Sequence, residues 1–118
     1  MIAQTITFYP STRRQVGGTV YSDWFNAEAL KEILAVLEVT AQGAYTDETL
    51  DVTIQGKCPS GSGNPVNLAQ FTQVGNVVAS VPYSEPLKLS NFSKELRVKI
   101  VTAGTAVDYT FSVTANGR

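Results

Sequence analysis

Two runs of strict apolar/polar alternation near the end of the chain limit what it can fold into. In the first, Leu96, Val98 and Ile100 take one side while Arg97 and Lys99 take the other. In the second, Tyr109, Phe111, Val113 and Ala115 alternate with Asp108, Thr110, Ser112 and Thr114. Successive side chains of a strand point to opposite faces, so each run reads as a strand with one buried and one wet face. Antiparallel sheets that pack on a second sheet have this pattern. Gly104, Thr105 and Ala106 lie between the runs and predict a turn that joins them as a final hairpin.

The same period recurs upstream. Ala3 to Tyr9 reads as a first strand, with Gln4, Ile6 and Phe8 against Thr5, Thr7 and Tyr9, and Pro10 is expected to end it because proline cannot donate to a ladder. Ser11 to Gly18 is predicted as a polar connection, and Thr19 to Trp24 as a second strand leading into Phe25. Between Asn26 and Ala41 two periods compete. Leu30, Ile33, Leu34 and Leu37 fit a helix that Asn26 would cap, whereas Ile33, Ala35, Leu37 and Val39 fit a strand. The rest of the chain is sheet, so the segment predicts a short turn or helical turn at Ala27 to Lys31 and a strand from Glu32 to Thr40.

Farther on, Gln42 to Glu48 is a predicted turn, and Thr49 to Gln55 a strand with Leu50, Val52 and Ile54 facing inward. Gly56 to Asn67, rich in Gly, Ser, Pro and Asn, predicts a long exposed loop. Strands are expected at Leu68 to Val74 and Val77 to Val81, with an irregular stretch around Pro82 and Pro86 and a polar connector at Ser90 to Lys94. Seven or eight short strands at regular spacing define an all-β chain: one antiparallel β-sandwich domain over residues 1–118, jelly-roll or immunoglobulin-like, with at most one helical turn near residues 27–31. Its expected core is Ile6, Phe8, Leu37, Val39, Leu50, Val52, Ile54, Phe71, Leu96, Val98, Ile100, Tyr109, Phe111 and Val113.

Composition narrows the function. The chain has 118 residues and no histidine, which removes the commonest general base and the commonest metal ligand. Its one cysteine, Cys58, excludes an internal disulfide and lacks a basic neighbourhood that would activate it. Net charge is −1 with scattered basic residues, so no nucleic-acid footprint is present. No apolar run is long enough for a helical membrane span, and the opening MIAQTITFYPS has neither the basic region nor the apolar core of a cleavable leader. The acidic group Asp47, Glu48 and Asp51 reads as a polar turn entering a strand rather than a calcium loop, because no Gly-bracketed ladder of ligands surrounds it. Trp24 with Tyr21 and Phe25 offers two readings, a sugar platform or packing at a sheet edge, of which packing is the commoner use. No catalytic residue, cofactor, metal or small-molecule substrate is expected.

Three segments carry a resemblance: EVTAQGAYTDETLDVTIQG, LAQFTQVG and LRVKIVTAGTAVDYTFSVTANG. They are similar to small proteins encoded among the virion structural genes of tailed bacteriophages, through Leu37 to Gly43, Thr49 to Gln55, Phe71 to Gln73, Leu96 to Val98, and Gly104 with Phe111 to Val113. The chain departs from that pattern in its longer CPSGSGNPVN loop, where relatives carry a short turn with a tryptophan. The resemblance implies a β-sandwich virion component, a capsid decoration or minor head protein. It would bind the major capsid protein and copies of itself, a trimer included, on the capsid surface after synthesis in the host cytoplasm. A tail or baseplate component, or a small glycan-binding adhesin module, is the alternative. Loops and connections are the expected contact points: Arg13 and Arg14 in the first connection, Tyr45 and Tyr83 in turns, and Ser60 and Asn64 in the long loop.

Overall fold

In the structure, a computed structural model that describes residues 4–57, 64–90 and 94–118, the alternating runs become two facing sheets. The strands are β1 (Gln4–Arg14), β2 (Gly18–Tyr21), β3 (Phe25–Asn26), β4 (Ile33–Gln42), β5 (Thr49–Lys57), β6 (Pro65–Gln70), β7 (Tyr83–Leu89), β8 (Glu95–Ala103) and β9 (Tyr109–Gly117). One sheet has the order β1-β9-β4-β7; the other has the order β2-β8-β5-β6, with β3 also against β8. β2 and β3 pair with successive parts of β8 and act as one interrupted strand. Eight strand positions in this interleaved order are a jelly roll, in which two Greek keys fold over each other.

Burial follows the period. All fourteen expected core residues are buried, and Ala27, Ile33, Ala35, Val74, Leu89, Val107 and Ala115 join them. In β4 the burial alternates from Ile33 through Val39, which settles the competition between helix and strand in favour of strand. Ahead of it, Leu30 N–H donates to Ala27 C=O at 3.0 Å, the expected single turn.

The final hairpin does not form. β8 lies in the five-stranded sheet and β9 in the four-stranded one, so the 104–108 turn crosses between layers. Both runs bury their apolar faces in the same core from opposite sides. Pro10 does not end β1 either. Pairing with β9 shifts register between Thr7 and Tyr9 and again between Tyr9 and Thr12, so the proline sits in a bulge of an edge strand, where no ladder donor is required. Ser11 to Arg14 is therefore strand, not connection.

The long loop is shorter than expected, because β5 runs to Lys57 and β6 begins at Pro65; its residues 58–63, Cys58 and Ser60 among them, lie outside the described residues. β6 ends at Gln70 rather than Val74, and Val74 instead forms an isolated bridge to Leu50. Where a strand was expected at Val77 to Val81, the chain makes a single 3-10 turn at Val78–Ser80 with no buried residue. The stretch around Pro86 is the regular edge strand β7, with Pro86 opposite Val36. Proline is tolerated at an edge because its missing donor can face away from the ladder.

Candidate functional site

The two broad outer faces of the sandwich are chemically unlike. On the four-stranded sheet the register aligns three rows: Thr5, Asn116, Leu34 and Lys88; Thr7, Thr114, Val36 and Pro86; Ser112, Glu38 and Ser84. Glu38 and Lys88 are the charged residues in these rows. Leu34 is 47% exposed near one end of the face, beside Glu32, Lys88 and Arg118. Hydroxyl, methyl and leucine side chains cost less to desolvate than charged ones, provided the hydroxyls find partners in the contact.

On the five-stranded sheet, cations and aromatic rings lie in contact along the strands. The Arg97 guanidinium sits 4.1 Å from the Tyr21 ring centroid and 4.5 Å from that of Trp24, and Lys57 Nζ lies 5.1 Å from Trp24. Lys57 also pairs with Glu95 at 2.8 Å. Below the ladder, Arg97 Nε donates to Gln55 Oε1 at 3.0 Å, and Gln55 Nε2 donates to Asn67 Oδ1 at 2.9 Å. Gln55, at the middle of this chain across β8, β5 and β6, is 5% exposed, while Asn67 at its end is open to solvent. Phe25 takes no part; its ring meets Phe8 edge-on at 6.3 Å.

The residues expected to meet partners divide between the two ends of the sandwich. Arg13 and Arg14 close β1, Tyr45 lies in the connection after β4, and Tyr83 opens β7, all at the end where β9 starts. Asn64 precedes β6 at the other end. Arg13 holds Asp108 with two bonds, Nε to Oδ1 at 2.9 Å and Nη2 to Oδ2 at 3.0 Å, while Arg14 Nε donates to Thr102 Oγ1 at 3.3 Å. Arg13 thus ties β1 to the 104–108 crossover, and Arg14 ties it to β8 in the facing sheet. Tyr83 Oη donates to Glu85 Oε1 at 3.1 Å, and burial, with Glu85 beside it, raises its pKa.

Three carboxylates are held below their usual range. Hydrogen bonding from Arg13 lowers Asp108, hydrogen bonding from Arg118 lowers Glu32, and the Thr105 backbone N–H lowers Asp47. A carboxylate with a depressed folded-state pKa stabilises the fold above its unfolded value and loses that contribution as pH falls through the folded one. Resistance to urea is therefore expected to be level near neutrality and to drop below about pH 4. Asp108→Asn should lower the neutral-pH midpoint and flatten this drop; an unchanged acid profile would show that the Arg13 pair contributes nothing.

The acidic cluster resolves into a structural corner. Glu48 is buried and accepts three backbone N–H groups: Thr46 at 2.8 Å, Asp47 at 3.2 Å and Ala106 at 3.2 Å. Asp47 accepts Thr105 N–H at 2.8 Å and its hydroxyl at 3.0 Å. Asp51 stands apart and accepts Gln73 Nε2 at 2.9 Å. Among the described residues no group of three metal-ligating side chains comes together. The sequence signalled neither the burial of Glu48 nor the Arg97 ladder, since both need the pairing of distant strands.

No protein-family model matches the chain, and no curated protein matches it in sequence. Solved structures do match in fold. The VP2 subviral particle of infectious bursal disease virus aligns with 98% of this chain at TM-score 0.69 and 17% identity, and the T13 particle of the same virus does so at 0.68 and 16%. This chain spans about a third of those capsid chains, 32% and 30%. PirA aligns at TM-score 0.52 and 15% identity, over 98% of this chain and 93% of its own. What these likenesses share is an all-β, two-sheet jelly roll that also occurs as a domain of viral capsid chains.

Proposed function

We propose that this chain is a non-enzymatic bacteriophage structural protein, a capsid decoration or minor head protein that binds and reinforces the capsid lattice. The observation that carries the proposal is the outer face of the four-stranded sheet, whose middle rows are mostly small hydroxyl and apolar side chains, with Leu34 exposed toward one end beside Glu32, Lys88 and Arg118. Four strands spaced about 4.8 Å apart, each some nine residues long at about 3.3 Å per residue, present roughly 600 Å². A standard protein interface takes roughly 800 Å² from each partner, so this face with its rim is large enough for a stable contact. The mechanism is burial: a copy seated across neighbouring capsid subunits must be peeled away before they separate. The jelly roll shared with VP2 capsid chains and the sequence resemblance to phage virion proteins support the reading. The partners are the major capsid protein and further copies of this chain, and the place of action is the virion surface.

The test is binding to undecorated phage heads, read by co-sedimentation and by density on the particle. Leu34→Lys is expected to weaken binding on the order of tenfold, because it replaces exposed apolar surface within the contact by a charge that must be desolvated. Arg13→Ala with Arg14→Ala should change binding far less, since the structure engages both side chains within the domain. Full binding by Leu34→Lys, or attachment of the wild-type protein to tails and not heads, would overturn the proposal.

A further inference from the structure

We infer that the Arg97 cluster on the outer face of the five-stranded sheet is a binding site for an acidic saccharide. A surface arginine ordinarily samples many rotamers and loses that freedom when it binds. Arg97 is already held by the Tyr21 and Trp24 rings and by the bond from Nε to the buried Gln55. Its Nη1 and Nη2 groups meet no protein acceptor among the described residues. A preorganised guanidinium fork with free donors is matched to a carboxylate, which it takes through two parallel bonds.

The charge around it has the right sign. Lys99 follows Arg97 on the same face of β8, opposite Tyr21 on β2. Glu95 is neutralised by Lys57, which leaves as nearby anions Asp23, beside Trp24 in the chain, and Asp51, which is held by Gln73 two residues along β5 from the partner of Lys99. Tyr21 is 50% exposed and offers ring surface beside the fork. An aromatic face next to a carboxylate receptor suits a ligand that is apolar on one side of its ring and acidic at one substituent, which describes a uronic-acid unit. The site uses the sheet opposite the face proposed to meet the capsid, so it neither requires that reading nor falls with it.

Trp24 is the one tryptophan of the chain, so its emission reports this site. The intact protein is titrated into the millimolar range with a hyaluronan hexasaccharide, a hexameric oligogalacturonate, neutral maltohexaose and sodium acetate. At least one of the two acidic hexamers is expected to change the emission saturably, maltohexaose and acetate are not, and added salt should weaken the response. Arg97→Lys keeps the charge but loses the fork, and should bind on the order of tenfold more weakly. Tyr21→Ala, at an exposed edge position, should weaken binding while leaving the sheet circular dichroism unchanged. Silence with both acidic hexamers, an equal response to maltohexaose or to acetate, or wild-type affinity in both variants overturns the inference.

Discussion

Phe111→Ala is expected to cost the domain about 3–5 kcal/mol, read as a lower urea midpoint by Trp24 fluorescence. The Phe111 side chain is fully buried in β9, the central strand between β1 and β4, and is paired with Thr12 on one side and Val39 on the other. Its ring stacks on Tyr9 at 5.1 Å with an interplanar angle of 16°. Removing it forfeits the transfer energy of the ring and leaves a cavity that two paired neighbours hold open. Domains of this size are stable by roughly 5–15 kcal/mol, so one substitution takes a large share. A loss under about 1 kcal/mol would mean that this face of β9 is not the core face.

Glu48→Ala is expected to cost about 2–4 kcal/mol although it removes no core hydrocarbon, because it strands three backbone donors at once. Those donors belong to two different turns, 46–47 and 106, so the single carboxylate clips one crossover between the sheets to the other. Glu48→Gln should recover part of the loss, since its amide keeps one acceptor oxygen and turns a donor toward the remaining N–H groups. Gly104→Ala tests the same corner from the other side. Gly104 has φ +128°, and a Cβ there would come within 2.6 Å of Glu48 Cα. The double variant should cost less than the sum, because both changes loosen one contact. Additive losses would show that the two turns act separately.

Alternation told which side chains are inside in β1, β4, β5, β8 and β9, from Ile6 to Val113, but not at Val20 to Trp24, where no residue is buried, nor at Val77 to Val81, where no strand forms. It carries no information about which strand lies beside which. The β8 and β9 runs therefore looked like a hairpin, when their apolar faces meet across the core from opposite sheets. Prolines misled for a related reason. Pro10 and Pro86 disqualify a central strand, and both turned out to lie on edges, a property of the sheet order and not of the local sequence. The functional surfaces were less legible still. Tyr21 and Trp24 drew notice as aromatics, but the arginine between them is some seventy residues away and becomes their neighbour only when β8 is laid beside β2 and β3. Arg13 and Arg14 stood out as a charged pair in an expected loop; in the strand that forms, both have partners within the domain.

The pairing of β1 with β9 has a consequence in time. Gln4 lies opposite Gly117, so the first strand has no ladder partner until the last one has been synthesised and brought back to it. The β4 strand is in the same position, because β9 separates it from β1 and β7 comes to it more than forty residues later. Closing loops of this length must precede the contacts that reward it, which places such topologies among slow-folding domains, in the range of milliseconds to seconds. During synthesis the early strands expose apolar faces and open edges to other chains. The bulge and proline of β1, the proline of β7 and the proline that begins β6 lie on the sheet edges that stay open in the finished fold, where each discourages a neighbouring chain from pairing before β9 arrives.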